Sequence, residues 1–98
     1  MATPEVTTRI LRRLLASGVH TRAERLLARM PPADIAPLLS GLNPVEIRVV
    51  IELLFRQRRA ARTLRELPHE ILSEVFDAVT DPRLADVIGR LEIDDLLE

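Results

Sequence analysis

Apolar side chains recur along the chain in short stretches at helical spacing, and no stretch alternates with the period of two that a strand requires. Val6, Ile10, Leu11, Leu14 and Leu15 form the first stripe, opened by Thr3 as N-cap, Pro4 as first helical residue and Glu5 in the first turn, and ended by Gly18. Thr21 followed by Glu24 reads as a capping box, so a second helix runs from there to about Met30. Pro31 and Pro32 break the chain before a third stripe, Ile35, Leu38, Leu39 and Leu42, over residues 34–42. Pro37 has no N–H to donate and should kink that helix.

Asn43-Pro44-Val45-Glu46 repeats the cap logic, and the helix it opens is apolar almost all round: Ile47, Val49, Val50, Ile51, Leu53, Leu54, Phe55. A helix of that kind belongs at the centre of the fold. Residues 58–67 read as a fifth helix. Pro68 opens a sixth, with Ile71, Leu72, Val75, Phe76 and Val79 on one face and polar residues on the other. Asp81-Pro82 starts a seventh, with Leu84, Val87, Ile88 and Leu91 inward, and Ile93–Leu97 forms a last turn.

The pattern Ala36-x-x-Leu39-x-x-Leu42 returns as Ala61-x-x-Leu64-x-x-Leu67 and Ala85-x-x-Ile88-x-x-Leu91, at spacings of 25 and 24 residues. Two readings follow. Each helix–turn–helix unit of about 25 residues stacks on the next, its small Ala admitting a neighbouring helix, or the pattern is simply that of any Leu-rich amphipathic helix. The first gives an all-α, short right-handed superhelical solenoid of seven to eight short helices. With 98 residues the chain is read as one domain, 1–98. Its core is aliphatic, because Phe55 and Phe76 are the only aromatics.

Composition narrows the chemistry. Without cysteine there is no disulfide, thiolate metal site or cysteine nucleophile, and a reducing cytoplasm is the natural setting. Neither a signal peptide nor a run of about 20 apolar residues is present, so direct membrane insertion is not expected. Ser17, Ser40 and Ser73 occur singly, and His20 and His69 have no second ligand at metal-binding spacing, so the chain is not read as an enzyme.

Charge is strongly polarised. Residues 1–65 carry twelve Arg against Glu5, Glu24, Asp34, Glu46 and Glu52, a net of +7, while residues 66–98 carry ten acids against Arg83 and Arg90, a net of −8. Such a distribution either steers a charged protein partner, including head-to-tail association of the chain with itself, or is a solvated asymmetry. The densest basic cluster, Arg56, Arg58, Arg59, Arg62 and Arg65, is the candidate partner-binding site. It also carries the alternative reading, a nucleic-acid-binding accessory protein using the Arg56–Arg65 cluster to neutralise phosphates. Against that, no aromatic is interleaved for base stacking, and Glu52 and Glu66 stand four residues from Arg56 and Arg62, positioned for local pairing.

Three segments together carry a family resemblance: Pro32-Ala33-Asp34-Ile35-Ala36 leading to Leu39 and Leu42; Ala60-Ala61-Arg62-Thr63-Leu64 leading to Leu67; and Leu84 through Ile88 to Leu91-Glu92-Ile93-Asp94-Asp95-Leu96. In order and separation they resemble the cytosolic N-terminal domain of MgtE-type magnesium transporters, over nearly the whole chain. The resemblance implies a right-handed stack of short helices in the cytosol, joined in the family to paired CBS domains and a membrane channel, and acting as a magnesium-dependent lock. It implies a non-enzymatic regulatory domain that docks on another protein.

It also implies a partial magnesium site at Asp94, Asp95 and Glu98, matching an acidic D-D-x-x-D stretch with Glu in the last place. A second acidic position of the family corresponds to Arg62, which repels a cation. No cofactor is required on this reading. Mg²⁺ would be held weakly, because one or two carboxylates complete only part of its octahedral shell. Taken by themselves, the same acids are read first as helix-capping, first-turn residues favoured by a helix dipole.

Overall fold

Asn43 and Glu46 show how local chemistry sets the helix starts. The Asn43 side chain accepts from the Glu46 N–H at 2.8 Å, and the Glu46 carboxylate accepts from the Asn43 N–H at 2.9 Å. This reciprocal box, with Pro44 at the first helical position, fixes the start of the central helix as the sequence predicts. The structure, a computed structural model, describes residues 4–18, 20–79, 82–83, 85–87 and 89–90. Six helices have defined bounds: α1 Pro4–Ala16, α2 Thr21–Ala28, α3 Pro32–Leu39, α4 Pro44–Arg56, α5 Ala60–Arg65 and α6 His69–Ala78. A seventh helical stretch covers the described part of 82–90, and there is no strand among the described residues.

The fold is all-α, organised around α4. Ile47, Val50, Ile51, Leu53 and Leu54 of that helix are buried, and it packs against α1, α5 and α6. On the other side α3 lies between α1 and α5, and α2 packs on α1. Leu11, Leu27, Ile35, Leu38, Leu39 and Leu64 complete the aliphatic core. Burial of this kind, at about 25 cal/mol per Å² of apolar surface, is the main favourable term holding the helices together.

Several boundaries differ from the sequence expectation, each for a local reason. Thr21 does not cap α2: the Glu24 N–H donates to the His20 carbonyl at 2.8 Å, so His20 occupies the cap position, without a side-chain cap bond, and Thr21 is the first helical residue. Glu24 turns to Arg56 instead. Helix α3 ends at Leu39 rather than Leu42, in the turn after Pro37, and Leu42 is buried from the loop. The fifth helix starts at Ala60 because Arg58 adopts φ 59°, outside helical geometry. Pro68 is the cap of α6 rather than its first residue.

Of the three repeat alanines only Ala36 is buried; Ala61 and Ala85 are exposed, and Ala60 is the buried alanine of α5. The three Ala-x-x-Leu positions are therefore not structurally equivalent. On α1, Leu11 and Leu15 face the core while Val6 and Ile10 are nearly half exposed, as is Phe76 of α6. Thr3, Asp81, Leu84, Ile88, Leu91 and the last turn at 93–97 lie outside what the structure describes.

Candidate functional site

The arginine cluster begins where α4 ends. Gln57 is the C-cap and Arg58 follows in the left-handed region; the Arg58 N–H donates to the Phe55 carbonyl at 3.0 Å and the Arg59 N–H to the Leu54 carbonyl at 2.9 Å. These two bonds define a Schellman cap, which normally places glycine where Arg58 stands. Gly18, φ 78°, fills that position after α1.

Arg59 then serves three helices at once. Its N–H closes α4, and its carbonyl accepts from the Thr63 N–H at 3.1 Å and the Thr63 hydroxyl at 2.9 Å, starting α5. Its guanidinium reaches back to the end of α2, donating through Nη1 to the Leu27 carbonyl at 2.7 Å and through Nη2 to the Met30 carbonyl. Gln57 supports the same junction by donating from Nε2 to the Glu24 carbonyl at 2.7 Å. A helix C-terminus presents carbonyls without intrahelical donors and a partial negative charge, so a half-buried guanidinium there satisfies both.

The five arginines proposed as a partner surface thus divide. Arg59 is engaged inside the fold. Arg56 pairs with Glu24 at 3.7 Å rather than with Glu52, and Glu52 instead takes Arg83 at 2.8 Å. Arg58, Arg62 and Arg65 are exposed, the last two on α5. Arg62 and Glu66 are not joined by an ion pair. Arg83 also lies over the Phe55 ring, 4.5 Å from its centroid, which holds Arg83 against α4. The proposed magnesium ligands Asp94, Asp95 and Glu98 lie outside the described residues. Among the described ones no cluster of three or more His, Cys, Asp or Glu is arranged to hold a metal ion.

Two charged faces elsewhere are more uniform than this cluster. The outward side of α2 and its C-cap presents Arg22, Arg25 and Arg29, and that of α6 presents Glu70, Glu74 and Asp77. Beside α6 runs a groove of about 300 Å³, floored by Leu42, Pro44, Ile47 and Ala78 and edged by Glu74 and Asp77. Neither face was singled out from the sequence, although reading charges at i, i+3 or i+4 and i+7 would have found both. The arrangement leaves one basic and one acidic face exposed. No side-chain constellation for nucleophilic or acid–base catalysis occurs among the residues described.

None of the helices, over the described residues, is long and apolar enough to cross a membrane. Comparison with curated proteins and with solved structures finds no match. The family model of the MgtE intracellular N domain matches residues 30–98, which span α3 to the C-terminal acids and include all three resemblance segments. The chain therefore belongs to the MgtE intracellular N domain family.

Proposed function

We propose that this chain is a cytoplasmic, non-enzymatic docking domain that regulates by binding another protein surface, with Mg²⁺ modulating the contact. The observation that carries the reading is family membership over residues 30–98 combined with exposed charge on and between short helices. Arg58, Arg62 and Arg65, with Arg56 at the edge, form the basic docking side; Asp94, Asp95 and Glu98 form the magnesium-responsive side. One or two carboxylates attract Mg²⁺ only weakly, so a partner that completes the oxygen shell makes ion binding and docking mutually dependent. The succession α1, α3, α5 on one side and α4, α6 on the other supports a short superhelical stack as the scaffold.

Nucleic-acid binding through the same cluster is the weaker reading. Arg59 is spent on the end of α2 and Arg56 faces Glu24, which removes two of the five cations a phosphate backbone would require. The test is an NMR titration of the isotope-labelled chain with MgCl₂, and separately with duplex DNA at physiological salt. The docking reading predicts magnesium-dependent shifts at residues 94–98 that vanish in Asp94→Ala/Asp95→Ala, and none with DNA. Identical magnesium titrations for both proteins, or saturable DNA binding, contradict it.

A further inference from the structure

The two uniform faces match each other in spacing as well as sign. Along a helix rising about 1.5 Å per residue, Arg29 to Arg25 is a step of about 6 Å and Arg25 to Arg22 one of about 4.5 Å. Glu70 to Glu74 and Glu74 to Asp77 repeat the two steps in the same order. Laid antiparallel, the helices bring Arg29 opposite Glu70, Arg25 opposite Glu74 and Arg22 opposite Asp77. All six residues are exposed, and none is paired with another described residue, so both ridges are open to an incoming surface. The ridges belong to helices packed on different partners, α2 on α1 and α6 on α4.

We infer that the α2 ridge of one chain docks on the α6 ridge of a second copy, with arginine side chains entering the groove between α4 and α6. The inference rests on the docking reading above and names the occupant. The groove suits arginine on both counts. Its floor of Leu42, Pro44, Ile47 and Ala78 covers an aliphatic stem, while Glu74 and Asp77 at its edge meet the guanidinium. On the approaching side Ala28 stands exposed beside Arg25 and Arg29, a small residue that lets α2 come close.

Because the two surfaces differ, one docking event leaves an unused α2 on one chain and an unused α6 on the other, and association continues head to tail. The contact is mainly electrostatic. Shrinking the Debye length from about 8 Å at physiological ionic strength to about 3 Å at 1 M salt should dissolve it.

Two charge-swapped chains test this directly. Glu74→Arg/Asp77→Arg makes the α6 ridge basic, and Arg25→Glu/Arg29→Glu makes the α2 ridge acidic; circular dichroism of each first establishes that the helices are retained. Sedimentation at low salt should show the wild type above the 11.1 kDa of one chain, each variant alone reduced to monomer, and association restored on mixing the two. A monomeric wild type overturns the inference. So does a wild type whose association survives either swap, or a pair of monomeric variants that stays monomeric when mixed. The magnesium titration is read on residues 94–98 of a single chain, so it fails or succeeds independently of these outcomes.

Discussion

The Arg59 guanidinium donates to the Leu27 carbonyl at 2.7 Å, joining the turn after α4 to the end of α2 across 32 residues of sequence. This contact and its companion on Met30 take the place of a left-handed C-terminal cap on α2, since Met30, the residue after the Arg29 C-cap, does not adopt positive φ. A charged side chain read from sequence as surface is thus part of the framework.

Replacing it should therefore cost stability rather than affinity. Arg59→Ala leaves carbonyls at the end of α2 without their charged donor, and hydrogen bonds to charged groups contribute about 1.5–3 kcal/mol each when half-buried as here. A loss toward the upper part of that range in chemical denaturation is expected, with Arg59→Lys recovering only part because an ammonium cannot span both carbonyls in one plane. Arg62→Ala, exposed on α5, should change stability by less than about 0.5 kcal/mol.

Arg58 gives the opposite sign. It holds φ 59° at the Schellman position, where a side chain is disfavoured by about 1–2 kcal/mol. Arg58→Gly removes that strain and adds a smaller entropic cost, so a net gain of about 0.5–1 kcal/mol in unfolding free energy is expected. Unchanged or reduced stability would show that the turn tolerates Arg58 without strain.

The α4 start is the most local of the stabilising devices. Asn43→Ala removes the acceptor for the Glu46 N–H and should cost about 1 kcal/mol. Glu46 also accepts from Arg12 Nε at 3.0 Å, so Glu46→Ala breaks one half of the box and the link between α1 and α4 together. Thermal melts of the two variants and of their double mutant should show coupling between the sites, as expected for groups in one hydrogen-bond network.

Arg83 predicts a local effect. Its ion pair with Glu52 is more than half exposed on both sides and therefore contributes little alone, but the same guanidinium lies on Phe55. Arg83→Ala should speed amide hydrogen exchange in residues 85–87 and 89–90 while leaving exchange in α4 unchanged, since the core of α4 does not depend on it.

How much of this was readable in advance follows the range of each interaction. The Asn43–Glu46 box was legible because both partners lie within one helical turn, and the all-α class because apolar residues keep helical spacing throughout. The Thr21–Glu24 pattern has the same letters, yet His20 takes the cap because its carbonyl receives the first intrahelical bond and Glu24 is drawn to Arg56, 32 residues away. Nothing in the letters marks Arg58 for the left-handed region, where glycine is the usual signal. Arg59 was placed in the surface cluster because a sequence window cannot contain Leu27 and Met30 as well. The outward ridges of α2 and α6 follow from charges at helical spacing, and the burial of Ala23, Leu27 and Val75 agrees with the side they take.

Docking of one chain on another through the charged ridges, as proposed, would show first in the molar mass in solution. Light scattering across protein concentration, at low and high salt, should give a mass that climbs with concentration and collapses in salt. A mass of 11.1 kDa at every concentration and salt level would contradict that self-docking.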